Sequence, residues 1–137
     1  MELNSKKYQD LINDIDIDEI ILRNLAVNNP SELLQENIQI STEHSISDYR
    51  REGDLFKVLT EFVVNGTGSS QDIFSIHFTL EVVYKLDKQY NFENQYFDLF
   101  TQNNVPVNVW PFARELVSNL TMRMGLPPLL LPVLRVK

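Results

Sequence analysis

The sequence predicts an α+β fold: a four-stranded antiparallel sheet in Greek-key order, its first strand beside its fourth, with one long helix packed on one face. Three observations predict it. Residues 15–88 fall into four runs of alternating apolar and polar side chains separated by turn-forming residues. Residues 89–125 change to helical spacing and carry half of the chain's aromatic residues. The link after the first run is longer than those after the second and third, so the middle three strands form a meander and the first returns beside the fourth.

The elements follow in order. Tyr8, Leu11, Ile12 and Ile15 recur at helical spacing, which predicts a short amphipathic helix within residues 1–14, over about 5–14. Ile15 and Ile17 then alternate with Asp16 and Asp18, the alternation slips at Glu19, and an apolar run continues to Val27, the pattern of a strand bulged at the slip. Asn28, Asn29 and Pro30 break it, and a connection runs to about Asn37. A second strand is expected over 38–49, with Ile38, Ile40 and Ile46 on one face, before a turn at Arg51–Asp54. The third, over 55–64, ends at Asn65-Gly66, a pair that takes positive φ cheaply and so predicts the hairpin loop. Phe74 to Leu86 alternate most cleanly of all, one face apolar and one polar.

Phe92, Tyr96 and Phe100 share a helical face, predicting a short helix near 93–102. A longer one follows, with Asn108 as its N-cap, Pro111 in the first turn, and Ala113, Leu116, Val117, Leu120 and Met124 as its apolar stripe. Gly125 suits the position after the helix, and Pro127 and Pro128 stop it. Residues 126–137 hold three prolines among leucines and valines, so they are expected as an extended apolar tail. That tail either floors a groove for extended apolar peptides or packs on its own domain, and composition does not choose.

Size and charge narrow the function. A chain of 137 residues has room for one domain, 1–137, with one core. Its net charge of −7 disfavours nucleic acid and anionic membrane surfaces. Residues 1–54 hold twelve acids against five bases and so carry the whole imbalance. With no cysteine, disulfides and thiolate metal sites are excluded, which fits a reducing cytoplasm. No apolar run reaches membrane-spanning length, and no signal peptide is evident at the start.

Candidate chemistry is sparse. His77 and Glu81 share a strand face but stand about 13 Å apart, too far for an acid–base pair, and His44 has no more support. Asp14, Asp16 and Asp18 imitate the opening of a calcium loop, but Glu19 and Leu25 occupy the positions that need Gly and Glu. No glycine-rich phosphate loop is present, so no metal, cofactor or catalytic residue is expected.

From Trp110 the chain reads WPFARELVSNLTMRMGLPPLLLPV. Its Trp110, Pro111, Phe112, Ala113, Arg114, Glu115, Leu120, Arg123, Pro127, Leu129 and Leu131 resemble the main helix and following loop of the SecB protein-export chaperones, and the strand pattern is similar to that family's sheet. The resemblance implies a cytosolic chaperone without enzymatic activity, a homo-oligomer built as a dimer of dimers, that binds unfolded polypeptides in an apolar groove. It maps client contacts onto Leu126, Leu129, Leu131 and Val133 with the aromatic opening Trp110 and Phe112. It also implies an acidic sheet face for a SecA-type motor, mapped onto Asp16, Asp18, Glu19 and Glu81. The family pattern continues into a second helix and an acidic tail, for which these residues have no counterpart; neither has the helix at 8–14 a clear one in the family. Shorter relatives of this kind include chaperones dedicated to one client, such as an antitoxin, and this remains the alternative to general export. A sheet on one long helix also describes hotdog-type acyl thioesterases, in which Glu115, the one acid of the main helix, would be the catalytic carboxylate.

Overall fold

A computed structural model describes residues 3–30, 38–68, 71–87, 92–132 and 134. The elements are α1 (Ser5–Asp14), β1 (Ile15–Asn28), β2 (Gln39–Glu52), β3 (Leu55–Gly68), β4 (Gln71–Leu86), α2 (Asn94–Asn103) and α3 (Val105–Arg123). The strands lie in the order β1-β4-β3-β2, every pair antiparallel, which is the expected Greek-key arrangement. Both helices after the sheet pack on one face.

That face is set by the strands' periodicity and by three irregularities. On β3 and β4, alternate residues from Phe56 to Val64 and from Phe74 to Leu86 are buried beneath the helices. The register of β1 slips twice, leaving Asp18 and Arg23 as extra residues. Without those slips, strict alternation would turn Ile20 and Leu22 away from the face that holds Ile15 and Ile17. With them, Ile15, Ile17, Ile20, Leu22, Leu25 and Val27 all lie opposite helix-side residues of β4. Only the first slip was legible in the sequence. A third slip, at Ser47, does the same for β2, bringing Tyr49 and Arg51 to the side of His44 and Ile46.

Aromatic rings join the layers. Phe97 of α2 packs on Phe56 at 4.8 Å between centroids, Phe100 meets Tyr84 edge-on at 5.0 Å, and Trp110 of α3 lies 6.2 Å from Phe62. Along α3, Val105, Val109, Ala113, Val117 and Thr121 repeat every fourth residue as a buried stripe. The helix α1 has the bounds expected of it. Asn4 caps it by accepting from the Lys6 and Lys7 amides, Leu11 is fully buried, and the Asn4 amide donates to the Tyr96 hydroxyl at 3.1 Å.

Two local expectations are corrected. Asn65-Gly66 is not the hairpin loop: β3 continues through it to Gly68. Glycine is required there by the neighbouring strand, because a Cβ at Gly66 would stand 2.3 Å from the Phe74 ring. Nor does Asn108 cap the main helix, which starts at Val105 with Pro106 in its first turn. The Asn108 side chain instead donates to the Tyr84 hydroxyl at 2.9 Å. Pro111 therefore sits inside α3, where it removes the donor to the Val107 carbonyl on a turn whose Val107 is exposed, so water can serve that carbonyl.

Two outcomes follow. Gly66→Ala should cost about 1–3 kcal/mol in urea unfolding, since the added methyl must displace a packed ring. Burial pushes the Tyr84 hydroxyl up to about 12. A raised folded value means the neutral phenol's contribution is complete below the ordinary value near 10 and is lost as pH rises from there towards 12. Tyr84→Phe should therefore flatten the fall in stability over that window, read by urea unfolding at successive pH values; an unchanged slope would contradict the assignment.

Candidate functional site

The chain leaves α3 through a left-handed turn. Gly125 has φ 83°, its amide donates to the Met122 carbonyl, and the Leu126 amide donates to the Thr121 carbonyl at 3.0 Å. This reverses the tail so that it runs back along α3. The Leu129 amide donates to Thr121 Oγ1 at 2.9 Å, and Trp110 Nε1 donates to the Pro132 carbonyl at 2.8 Å. Across the root of the tail, Asn29 Nδ2 donates to the Met124 carbonyl.

The sequence-predicted client residues separate along this segment. Leu126 and Leu129 are half-buried, Leu131 is only 2% exposed, and Val133 lies outside the described residues. Leu130, which the resemblance did not single out, is 74% exposed. Trp110 is buried against Phe62 with the His44 ring edge-on to it at 5.5 Å, while Phe112, 51% exposed, is on the outer side of α3. Leu131 and Trp110 thus hold the tail in place instead of lining an open groove, a correction to that expectation, while Leu126 and Leu129 are half-buried and Leu130 and Phe112 are exposed.

Further apolar surface is bare on the sheet. The helix-side residues Ile17, Leu22, Leu25 and Val27 of β1 are 39–45% exposed, along an edge strand that among the described residues pairs only with β4. At the other edge, two clefts of about 350 and 400 Å³ lie between β2 and α2. Phe56, Phe97 and Arg51 line the first, Ile46, Thr101 and Gln102 the second, and a hydrogen bond from the Tyr49 hydroxyl to Asp98 stands between them. That carboxylate raises the Tyr49 hydroxyl above its ordinary range. The buried Thr101 hydroxyl has no hydrogen-bond partner among the described residues. These clefts escaped the sequence reading because β2 is a largely polar strand whose Tyr49 and Arg51 reach the helix side only through the Ser47 slip.

The proposed acidic face is divided as well. Asp16, Asp18 and Glu19 are exposed along β1, but Glu81 is buried. Arg23, the second bulge residue, holds Glu81 Oε1 at 2.7 Å, and Arg50 reaches across from β2 to Oε2 at 3.8 Å. Glu81 is therefore a neutralised structural group and not a surface acid, a correction imposed by partners 58 and 31 positions away. It is equally unavailable to His77, which is exposed. No cluster of three or more metal-ligating side chains occurs among the described residues. Glu115, the thioesterase candidate, is exposed on α3.

Comparison with known proteins now decides the family. Residues 8–135 match the family model described as "Preprotein translocase subunit SecB". The chain belongs to the SecB family. The match includes most of α1, although no counterpart for that helix was evident in the sequence. A solved structure of the SecB-like chaperone Rv1957 of Mycobacterium tuberculosis, in complex with a ChAD peptide from the Rv1956 HigA1 antitoxin, shares the fold at a TM-score of 0.80 and 17% identity, covering 96% of this chain and 98% of that one. A Streptococcus agalactiae protein of unknown function is a far more distant likeness, at a TM-score of 0.44 and 7% identity over 87% of this chain and 97% of that one. No curated protein sequence matches the chain. SecB is a chaperone family and not an enzyme family, and no helix among the described residues is long and apolar enough to cross a membrane.

Removing the partner of a buried carboxylate leaves its charge uncompensated. Arg23→Ala should cost about 1–3 kcal/mol in urea unfolding, less than for a fully enclosed pair because the arginine is half exposed and Arg50 stays nearby. Adding Glu81→Gln should recover part of that loss; strictly additive costs would show that the pair is not coupled.

Proposed function

We propose that this SecB-family protein holds extended stretches of non-native polypeptide on the apolar surface around its C-terminal segment, without catalysis and in the cytoplasm. The observation that carries this reading is an extended segment that exposes Leu130 and leaves Leu126 and Leu129 half-buried, beside an exposed Met122. Burial of a client's apolar side chains there supplies affinity that is tolerant of sequence. The clefts between β2 and α2 extend the surface along an edge strand that, among the described residues, pairs only with β3.

The family's description favours clients destined for export, and the antitoxin peptide bound by the mycobacterial chaperone favours a dedicated client. A genuine export role would use Asp16, Asp18 and Glu19 as the acids offered to a SecA-type motor, since Glu81 is internally paired. The bare apolar side of β1 and its free edge fit a second copy of the chain, giving a homo-oligomer.

The test is suppression of aggregation. At stoichiometric excess the protein should slow light scattering by a client diluted from denaturant, and Leu129→Ser with Leu130→Ser should weaken this several-fold while leaving the circular dichroism spectrum unchanged. Client kinetics identical with and without the wild-type protein would remove the general holding role and leave only a dedicated client.

A further inference from the structure

We propose that the channel on α3 occupied by the chain's own Leu129–Pro132 is a binding site for extended, leucine-bearing, proline-bracketed segments of other polypeptides, with the tail as its exchangeable resident. The inference rests on the holding function above and specifies how the deepest part of that surface is opened.

The manner of attachment carries it. Thr121 accepts from the Leu129 amide and Trp110 donates to the Pro132 carbonyl, so both hydrogen bonds engage the tail's backbone and neither depends on its side chains. Any extended segment offers an N–H and a C=O three residues apart. Pro127, Pro128 and Pro132 have no N–H, so half of residues 127–132 leave no donor to satisfy. Among the described residues, 127–132 make no backbone–backbone hydrogen bond. Of the side chains in that stretch, only Leu131 is fully buried, and Pro127, Pro128, Leu130 and Pro132 are exposed. Among the described residues, departure of the tail therefore breaks two side-chain hydrogen bonds but no backbone ladder, and uncovers the buried Leu131 with the half-buried Leu129 and Leu134, which places it among the segments that open before the core does.

The receiving groups are anchored independently. Thr121 is buried, and its hydroxyl donates to the Val117 carbonyl at 2.9 Å while accepting from Leu129. Trp110 is wedged between His44 and Phe62. Neither leaves with the tail. What remains is an acceptor for an amide, a donor for a carbonyl three residues on, and an apolar recess for the side chain just before that carbonyl's residue. This selects a segment with leucine or a similar apolar residue at its third position and tolerates proline after it; a charged residue there is excluded by the recess. Because the tail is tethered, an incoming segment competes with a resident at high effective concentration.

The experiment uses the full chain and the heptapeptide LPPLLLP, the sequence of residues 126–132. Trp110 is the only tryptophan, so its fluorescence reports occupancy. Leu131→Ser disables the resident and keeps the receiving groups. It should bind the peptide about tenfold more tightly than the wild type, because the fraction of open sites limits apparent affinity. Adding Thr121→Val should abolish that gain, and the peptide LPPLLSP should not bind. Should Leu131→Ser fail to fold, Leu129→Pro removes the latched amide without touching the buried leucine and should show the same gain. Folded opening variants that bind the peptide no better than wild type, or a gain indifferent to Thr121→Val, would overturn the inference. In that case a wild type that still suppresses client aggregation leaves the holding function standing, whereas peptide binding without suppression keeps the channel and removes the holding function.

Discussion

The helices that cover this sheet leave the helix side of its first strand partly exposed, and the rest of the molecule's character depends on that shortfall. Phe97, Phe100 and Trp110 set α2 and α3 over Phe56, Tyr84 and Phe62 on β3 and β4, with Trp110 reaching His44 on β2. Two bulges meanwhile bring Ile15, Ile17, Ile20, Leu22, Leu25 and Val27 of β1 to the same side, where Ile17, Leu22, Leu25 and Val27 stay 39–45% exposed. Bulges that gather apolar residues onto an uncovered strip make sense when something else covers it. Enclosing what those four side chains still expose would contribute on the order of 1 kcal/mol each. The same helix layer ends at Gly125 and sends the chain back over itself, so the apolar tail is held by side-chain hydrogen bonds and packed leucines instead of a ladder.

Charge is arranged with the same economy. Asp16, Asp18 and Glu19 stay in water on β1, while Glu81, in the middle of the sheet, is drawn inward by Arg23 and Arg50 from both edges. That pairing ties β1 and β2 to the centre of the open face, and it makes Arg23 useful at a position, the second bulge, that would otherwise be an interruption. A surface of mixed charge on one side and bare hydrocarbon on the other suits a protein that must stay soluble while gripping chains that are not.

Much of this was legible in the residues, and the failures share a cause. The helix at Ser5–Asp14, the slip near Glu19, the strand order and the stop at Gly125 all follow from spacing within a few residues, and the family from the motif that opens at Trp110. Asn65-Gly66 was misread because Gly66 answers to the Phe74 ring across the sheet and not to a turn. Asn108 looked like a cap because its real partner, Tyr84, is 24 positions away. Glu81 looked like a surface acid because Arg23 and Arg50 are brought to it only by the assembled sheet. In the tail, prolines abolish any periodicity, so nothing local distinguishes Leu130, which faces water, from Leu131, which does not.

We propose that the partly exposed helix side of β1 is completed by a second copy of the chain. Sedimentation equilibrium over a hundredfold range of protein concentration tests it most directly. The account predicts a mass that is an even multiple of 16.0 kDa and that falls when Leu22 and Leu25 are both changed to Ser. A wild-type protein that sediments as a 16.0 kDa monomer throughout that range would contradict it.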